Sequence, residues 1–239
     1  MIDRRPASGM GTTHVCGASA VHHFSFGRYQ SHERLKWGLL RVLNRVQLES
    51  GGKRELYPLG GMEVVIFVEA GAIALHYGDH RAILHNGEVG AVALGLGGDY
   101  GFSNVGGSDT RIVEIWLEED SRSQPRFVHG KVPHGQGILA SHLGQDTPVV
   151  PLLSHVRLSL LNFERSQSAP VVLDGRHGYG CVTQGSARIG GTSCQSGDGF
   201  AILDEPVLEV NATAPCKLLL IETLDREAGQ PEQVRQRSS

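Results

Sequence analysis

Histidines, cysteines and acidic residues are the side chains of this sequence best suited to chemistry at neutral pH: 12 His, 4 Cys and 25 Asp plus Glu among 239 residues. Imidazoles and carboxylates hold divalent iron, nickel or zinc, so the inventory alone suggests a metalloprotein. Spacing decides whether the groups converge. His76, His80 and His85 fall around one hairpin, Leu75-His76-Tyr77-Gly78-Asp79-His80, and read as exposed turn residues. His129, His134 and His142 lie in a polar stretch and read as loop residues, and His177 sits in the turn Asp174-Gly175-Arg176-His177-Gly178. The four cysteines, Cys16, Cys181, Cys194 and Cys216, form no Cys-x-x-Cys pair, so a zinc ribbon is not expected. Cys181 and Cys194 fall on neighbouring expected strands; they are either buried thiols or a pair that joins on oxidation. There is no Gly-x-Ser-x-Gly nucleophile elbow and no phosphate-binding P-loop, and Gly95-Leu96-Gly97-Gly98 is a turn.

The elements that must position these residues are short. Gly accounts for 32 residues, nearly twice the roughly 7% of an average chain, without the three-residue period of collagen. Such an excess implies many tight turns and hence many short strands. Leu39–Leu43, Glu63–Val68, Ala72–Tyr77, Arg81–Leu84, Val89–Leu94 and Arg111–Leu117 are strand-like runs bounded by Gly, Asn or Asp. Further runs follow at His155–Leu161, Gly180–Val182, Ala201–Leu203, Val207–Val210 and Lys217–Ile221. The pattern predicts an all-β protein with few short helices. Formal net charge is −3 and no basic stripe is present, so no direct nucleic-acid partner is expected. No apolar run is long enough to span a membrane and no signal peptide opens the chain, so the expected location is cytoplasmic, where cysteines stay reduced.

The two halves share a grammar. Val68-Glu69-Ala70-Gly71 leads to Gly87-Glu88, and Val182-Thr183-Gln184-Gly185 leads to Gly197-Asp198. Each unit reads strand, Gly turn, strand, then a Gly-acid turn into another strand, as an internal duplication would give. Expected boundaries are a mobile segment at 1–20, a domain at 21–118, a connector at 119–147, a second domain at 148–224 and a tail at 225–239. The tail is charged and Gln/Ser-rich, a short helix or disordered.

The residues also resemble a known family. Gly51, Glu63 and Gly71 occupy the Gly, Glu and Gly positions of the first cupin motif. His22-His23-Phe24-Ser25-Phe26-Gly27-Arg28-Tyr29, Leu40-Arg41-Val42-Leu43-Asn44 and Met62-Glu63-Val64-Val65 are similar to signatures of the pirin family. The likeness continues from Ile138-Leu139-Ala140-Ser141 through Ser196-Gly197-Asp198-Gly199, and covers about residues 20–224. It implies a bicupin, two β-barrel or sandwich domains packed together, and a packing role for His22. Many pirins resemble iron-binding dioxygenases of the quercetinase type, with His-x-His and a His and Glu two residues apart as metal ligands. In this chain those four positions carry Tyr57, Leu59, Tyr100 and Phe102, while Glu63 keeps a position that is mostly structural in pirins. The resemblance therefore implies a degenerate metal site, no metal cofactor, and a small-molecule-binding, regulatory or vestigial role. Tyr57, Leu59, Glu63, Tyr100 and Phe102 would line a pocket for an apolar or aromatic molecule, or would fill a closed, dry core. Two alternatives stand beside this: a quercetin 2,3-dioxygenase with iron or another divalent metal held at a relocated site, and a redox-responsive protein using its cysteines.

Overall fold

The computed structural model describes residues 1–57, 60–119, 124–133, 136–142, 146–175 and 177–224. They form an all-β molecule of four sheets with short 3-10 turns, among them Ala7–Gly9 and His32–Arg34. The strands are β1 (Ile2–Arg5), β2 (Gly11–Val15), β3 (Ala18–His22), β4 (Leu40–Leu48), β5 (Lys53–Leu56), β6 (Met62–Ala70), β7 (Ala72–Tyr77), β8 (His80–His85), β9 (Glu88–Ala93), β10 (Tyr100–Asn104) and β11 (Thr110–Glu118). They continue as β12 (Arg126–Lys131), β13 (Gly137–His142), β14 (Val150–Leu152), β15 (Val156–Phe163), β16 (Ser168–Val172), β17 (His177–Gln184), β18 (Ser186–Ile189), β19 (Thr192–Gln195), β20 (Gly199–Leu203), β21 (Val207–Ala212) and β22 (Cys216–Thr223). Among the described residues no helix is long and apolar enough to cross a membrane.

Each half is a sandwich of one large and one small sheet. The first pairs β12-β9-β6-β11-β4-β3-β2 with β5-β10-β7-β8; the second pairs β1-β20-β17-β22-β15-β13-β14 with β16-β21-β18-β19. The orders correspond strand for strand through the middle of each sheet, as the duplication predicts. The turn glycines correspond too: Gly71 and Gly185 both have positive φ, and a Cβ at either would collide with Thr110 or with the Pro215 carbonyl.

The two large sheets face each other, which explains why their central strands read as continuous apolar runs. In β6, Val64, Ile66 and Val68 face the small sheet of the first half, while Val65 and Phe67 face the second half. In β22, Leu218 and Leu220 face inward within the second half, while Leu219 and Ile221 face the first. The core between the halves is the largest of the three apolar clusters.

Two expectations of organisation are corrected. Residues 1–20 contain three strands in place of a mobile segment, and β1 is the edge strand of the second half's large sheet, with Ile2 opposite Ile202. Its 3-10 turn and Arg4 are held by Asp198, which accepts from Arg4 Nε and Nη2 at 3.1 and 2.8 Å and from the Ala7 and Gln195 N–H at 2.9 and 3.0 Å. Within the expected connector, β12 closes the first half's large sheet against β9, and β13 enters the second half's sheet beside β15. The expected tail, 225–239, lies outside the described residues.

Candidate functional site

The positions singled out in the first half do not gather into one pocket. Tyr100 and Phe102, two apart on β10, point the same way into the first sandwich and are fully buried, their rings 6.5 Å apart. Tyr57 is exposed, and Leu59 lies outside the described residues. Glu63 is buried on the opposite face of β6, where its carboxylate accepts the N–H of Leu153 at 3.0 Å and of Ser154 at 2.9 Å from the second half. The expected five-residue lining is corrected accordingly: alternation along β6 puts Glu63 on the seam side with Val65 and Phe67, away from Tyr100.

A polar row crosses the first large sheet beneath Tyr100. Strand register sets His22, Asn44 and Glu114 side by side on β3, β4 and β11. His22 Nδ1 donates to Asn44 Oδ1 (2.7 Å), leaving its Nε2 to accept from Thr13 Oγ1 (2.9 Å). Asn44 Nδ2 donates to Glu114 Oε2 (2.7 Å). Across the sandwich, the Tyr100 hydroxyl donates to Glu114 Oε1, and Trp116 Nε1 donates to the Tyr100 oxygen at 2.7 Å. Arg54 on β5 stands 3.7 Å from Glu114 and lies over the Phe26 ring, 5.2 Å from its centroid. Each buried polar group in this row therefore has a partner, the condition under which a carboxylate is tolerated in a core.

The electrostatics follow from burial. Burial first, and the Glu114 carboxylate second, push the Tyr100 phenol well above its ordinary value near 10. Burial lowers His22 despite its bond to Asn44, consistent with a neutral ring. Burial raises Glu63, although the backbone N–H groups of Ser154 and Leu153 oppose the shift.

These residues do not suit a divalent metal. A ligand must offer a lone pair in its deprotonated form; Phe102 has none, and the Tyr100 oxygen keeps its proton and is already committed to Glu114 and Trp116. Among the described residues no group of three or more His, Cys, Asp or Glu is disposed to hold a metal ion. Of the other histidines, His76 meets Glu55 at 2.9 Å on the surface, His80 stacks on Phe127, His142 stacks on His155, and His177 is edge-on to Trp37. His129 meets Phe127 edge-on, and His134 lies outside the described residues.

Beside the polar row a pocket of about 580 Å³ opens between β2, β3 and β5, with Thr13, Val15, Phe26, Arg54 and Leu56 in its wall. Glu114, Asn44 and Arg54 escape a reading of the sequence. The one signal for them is a polar residue inside an apolar strand, Asn44 after Leu40–Leu43 and Glu114 within Arg111–Leu117.

All four cysteines are free, Cys16 exposed and the others buried. Burial raises Cys181 to about 12 and Cys194 and Cys216 to about 11. Cys181 faces the core between the halves and Cys194 the interior of the second sandwich.

Comparison with known proteins adds the following. A family model described as the quercetinase C-terminal cupin domain matches residues 138–223. A Pseudomonas aeruginosa protein provisionally named a quercetin 2,3-dioxygenase is 32% identical over 235 residues, 93% of this chain and 99% of that protein. The solved structure of the Escherichia coli bacterial pirin YhhW in complex with nickel(II) superposes with a TM-score of 0.84 at 20% identity, over 95% of this chain and all of that one. The Escherichia coli protein YhaK superposes with a TM-score of 0.71 at 23% identity, over 84% of this chain and 92% of its own. At these identities the two structures show a shared fold.

Proposed function

This chain belongs to the pirin family of bicupins, and from that premise we propose that it is a member which has lost the family's metal ligands and acts by binding a small molecule. One observation carries the reading: at a position where the family resemblance implies a ligand, the Tyr100 hydroxyl is tied to Glu114 and Trp116 inside the fully buried core. The pocket beside Phe26, Leu56 and Val15 suits an apolar or aromatic molecule, and Arg54 in its wall suits a hydroxyl or carboxylate on that molecule. A cytoplasmic location fits the four free cysteines.

The experiment is elemental analysis of protein purified without chelator, with quercetin supplied as an aromatic probe. Less than a tenth of an equivalent of iron, nickel or manganese is expected, with quercetin bound but not consumed. Stoichiometric metal together with flavonol loss would overturn the reading.

A second reading is supported by the dioxygenase name of the Pseudomonas relative and by the nickel(II) in the YhhW complex. On that reading the chain is a quercetin 2,3-dioxygenase with its metal held elsewhere, and the same assay separates the two. A redox-responsive role has less support, because burial keeps three of the four cysteines protonated and leaves only Cys16 exposed.

A further inference from the structure

Away from the Tyr100 core, a cleft of about 730 Å³ opens along the seam between the two halves. Its wall carries Arg45 from β4, Arg111 from β11 and Lys131 from β12, and, from the second half, Lys217 on β22. Arg45 is spoken for: it lies 3.4 Å from Glu69 and donates to the Thr183 carbonyl at 3.0 Å, which pins the two halves together at the floor. Arg111, Lys131 and Lys217 are exposed, and none is ion-paired with a carboxylate of the described residues. Three unpaired cations thus share one concave site on a chain whose formal net charge is −3. Concentrating like charge costs free energy unless a counter-charge is bound, and a cleft of one sign focuses its field on incoming ions of the other. Phe67, Val132 and Leu160 are buried in the core between the halves and show only their edges to the cleft.

We propose that this seam cleft is a binding site for a small organic polyanion, a molecule carrying two or more carboxylate or phosphate groups, held by Arg111, Lys131 and Lys217. Arg111 supplies the planar fork that suits a carboxylate or phosphate edge, and the two lysines supply point charges on either side of the seam. Because the cations come from both halves, bound anion would also brace the halves against each other.

The test is calorimetric titration of the full chain with citrate and with inorganic pyrophosphate, which separate the carboxylate source from the phosphate source. Saturable one-to-one binding of at least one of them is expected, weakening as ionic strength rises. Lys131→Glu and Lys217→Glu should each weaken that binding at least tenfold, whereas Lys53→Glu, on the exposed edge strand β5, should leave it within twofold. All three side chains are exposed, so the variants should keep the melting temperature of the parent in the absence of anion. No saturable binding of either probe at millimolar concentration would overturn the proposal, and so would equal binding by parent and by both charge-reversed variants. Quercetin binding measured on the same variants should not change, so failure of the seam site and failure of the aromatic pocket are distinguishable.

Discussion

Replacing Tyr100 by Phe would remove one hydroxyl at the place where Tyr100, Asn44 and Arg54 converge on the Glu114 carboxylate. The ring still fits, and the Trp116 N–H keeps a 3.4 Å contact to Glu114 Oε1, so the cost is that of the hydroxyl bridge lost between them. Y100F is expected to lower stability by about 1–3 kcal/mol, read from the urea midpoint, with the all-β circular-dichroism spectrum unchanged. His23 offers a second test. Burial pushes it down to about 3 from 6.5, and it meets Tyr179 at 3.0 Å in the seam core. An unfolded chain takes up that proton below about 6.5 while the folded protein refuses it until about 3, so stability falls as pH drops through that interval. The stability difference between the parent and His23→Gln should therefore change by about 1.2 kcal/mol between pH 6 and 5. The residue scale is also where the sequence was most partly legible. That Tyr100 and Phe102 share one face of a strand was legible, because alternation is a local property. Glu63 could not be placed, because the N–H groups that hold it belong to residues 153 and 154, and sequence distance hides them.

At the scale of elements, the anchoring of β1 makes a definite claim. Asp198 is buried, and burial opposes its ionisation, but the Ala7 N–H, Arg4 and the Gln195 N–H together hold its carboxyl below the ordinary 3.8. The stability it contributes is complete above that ordinary value and is lost as pH falls through the lowered one. Asp198→Asn should be less stable than the parent at pH 7 and should lose less on acidification to pH 3. Limited proteolysis should show faster cleavage within residues 1–10 of that variant. The strands themselves were largely legible, since the glycines that end them and their apolar alternation are local properties. β1 was not: Ile2-Asp3-Arg4-Arg5 has two charges in a row after one acid and no period to betray a strand. What makes it a strand is remote, namely pairing with β20, Ile2 against the second half's core, and Arg5 lying 5.4–5.5 Å from the ring centroids of Phe24, Trp37 and Tyr179.

For the whole molecule, the seam is the dominant feature, since the apolar cluster between the large sheets exceeds the one inside either half. Neither half should be an independent folding unit. Scanning calorimetry is expected to show a single transition whose calorimetric and van't Hoff enthalpies agree. Glu63→Ala would strand the Leu153 and Ser154 N–H groups in the seam and should lower that transition without splitting it. The correspondence of the two halves was legible from Gly71 and Gly185 and their partners. The face-to-face packing was legible only in outline, because a strand buried on both sides and a strand in a simple sandwich look alike over a few residues.

The edge strand of the second half also sets an order of events. A ribosome makes Ile2–Arg5 first and its partner Gly199–Leu203 some two hundred residues later, so at roughly 5–20 residues per second the first strand waits about 10–40 s for a mate. During that wait β20 and β22 do not yet exist, and the nascent chain carries an unmatched strand whose native berth has still to be translated.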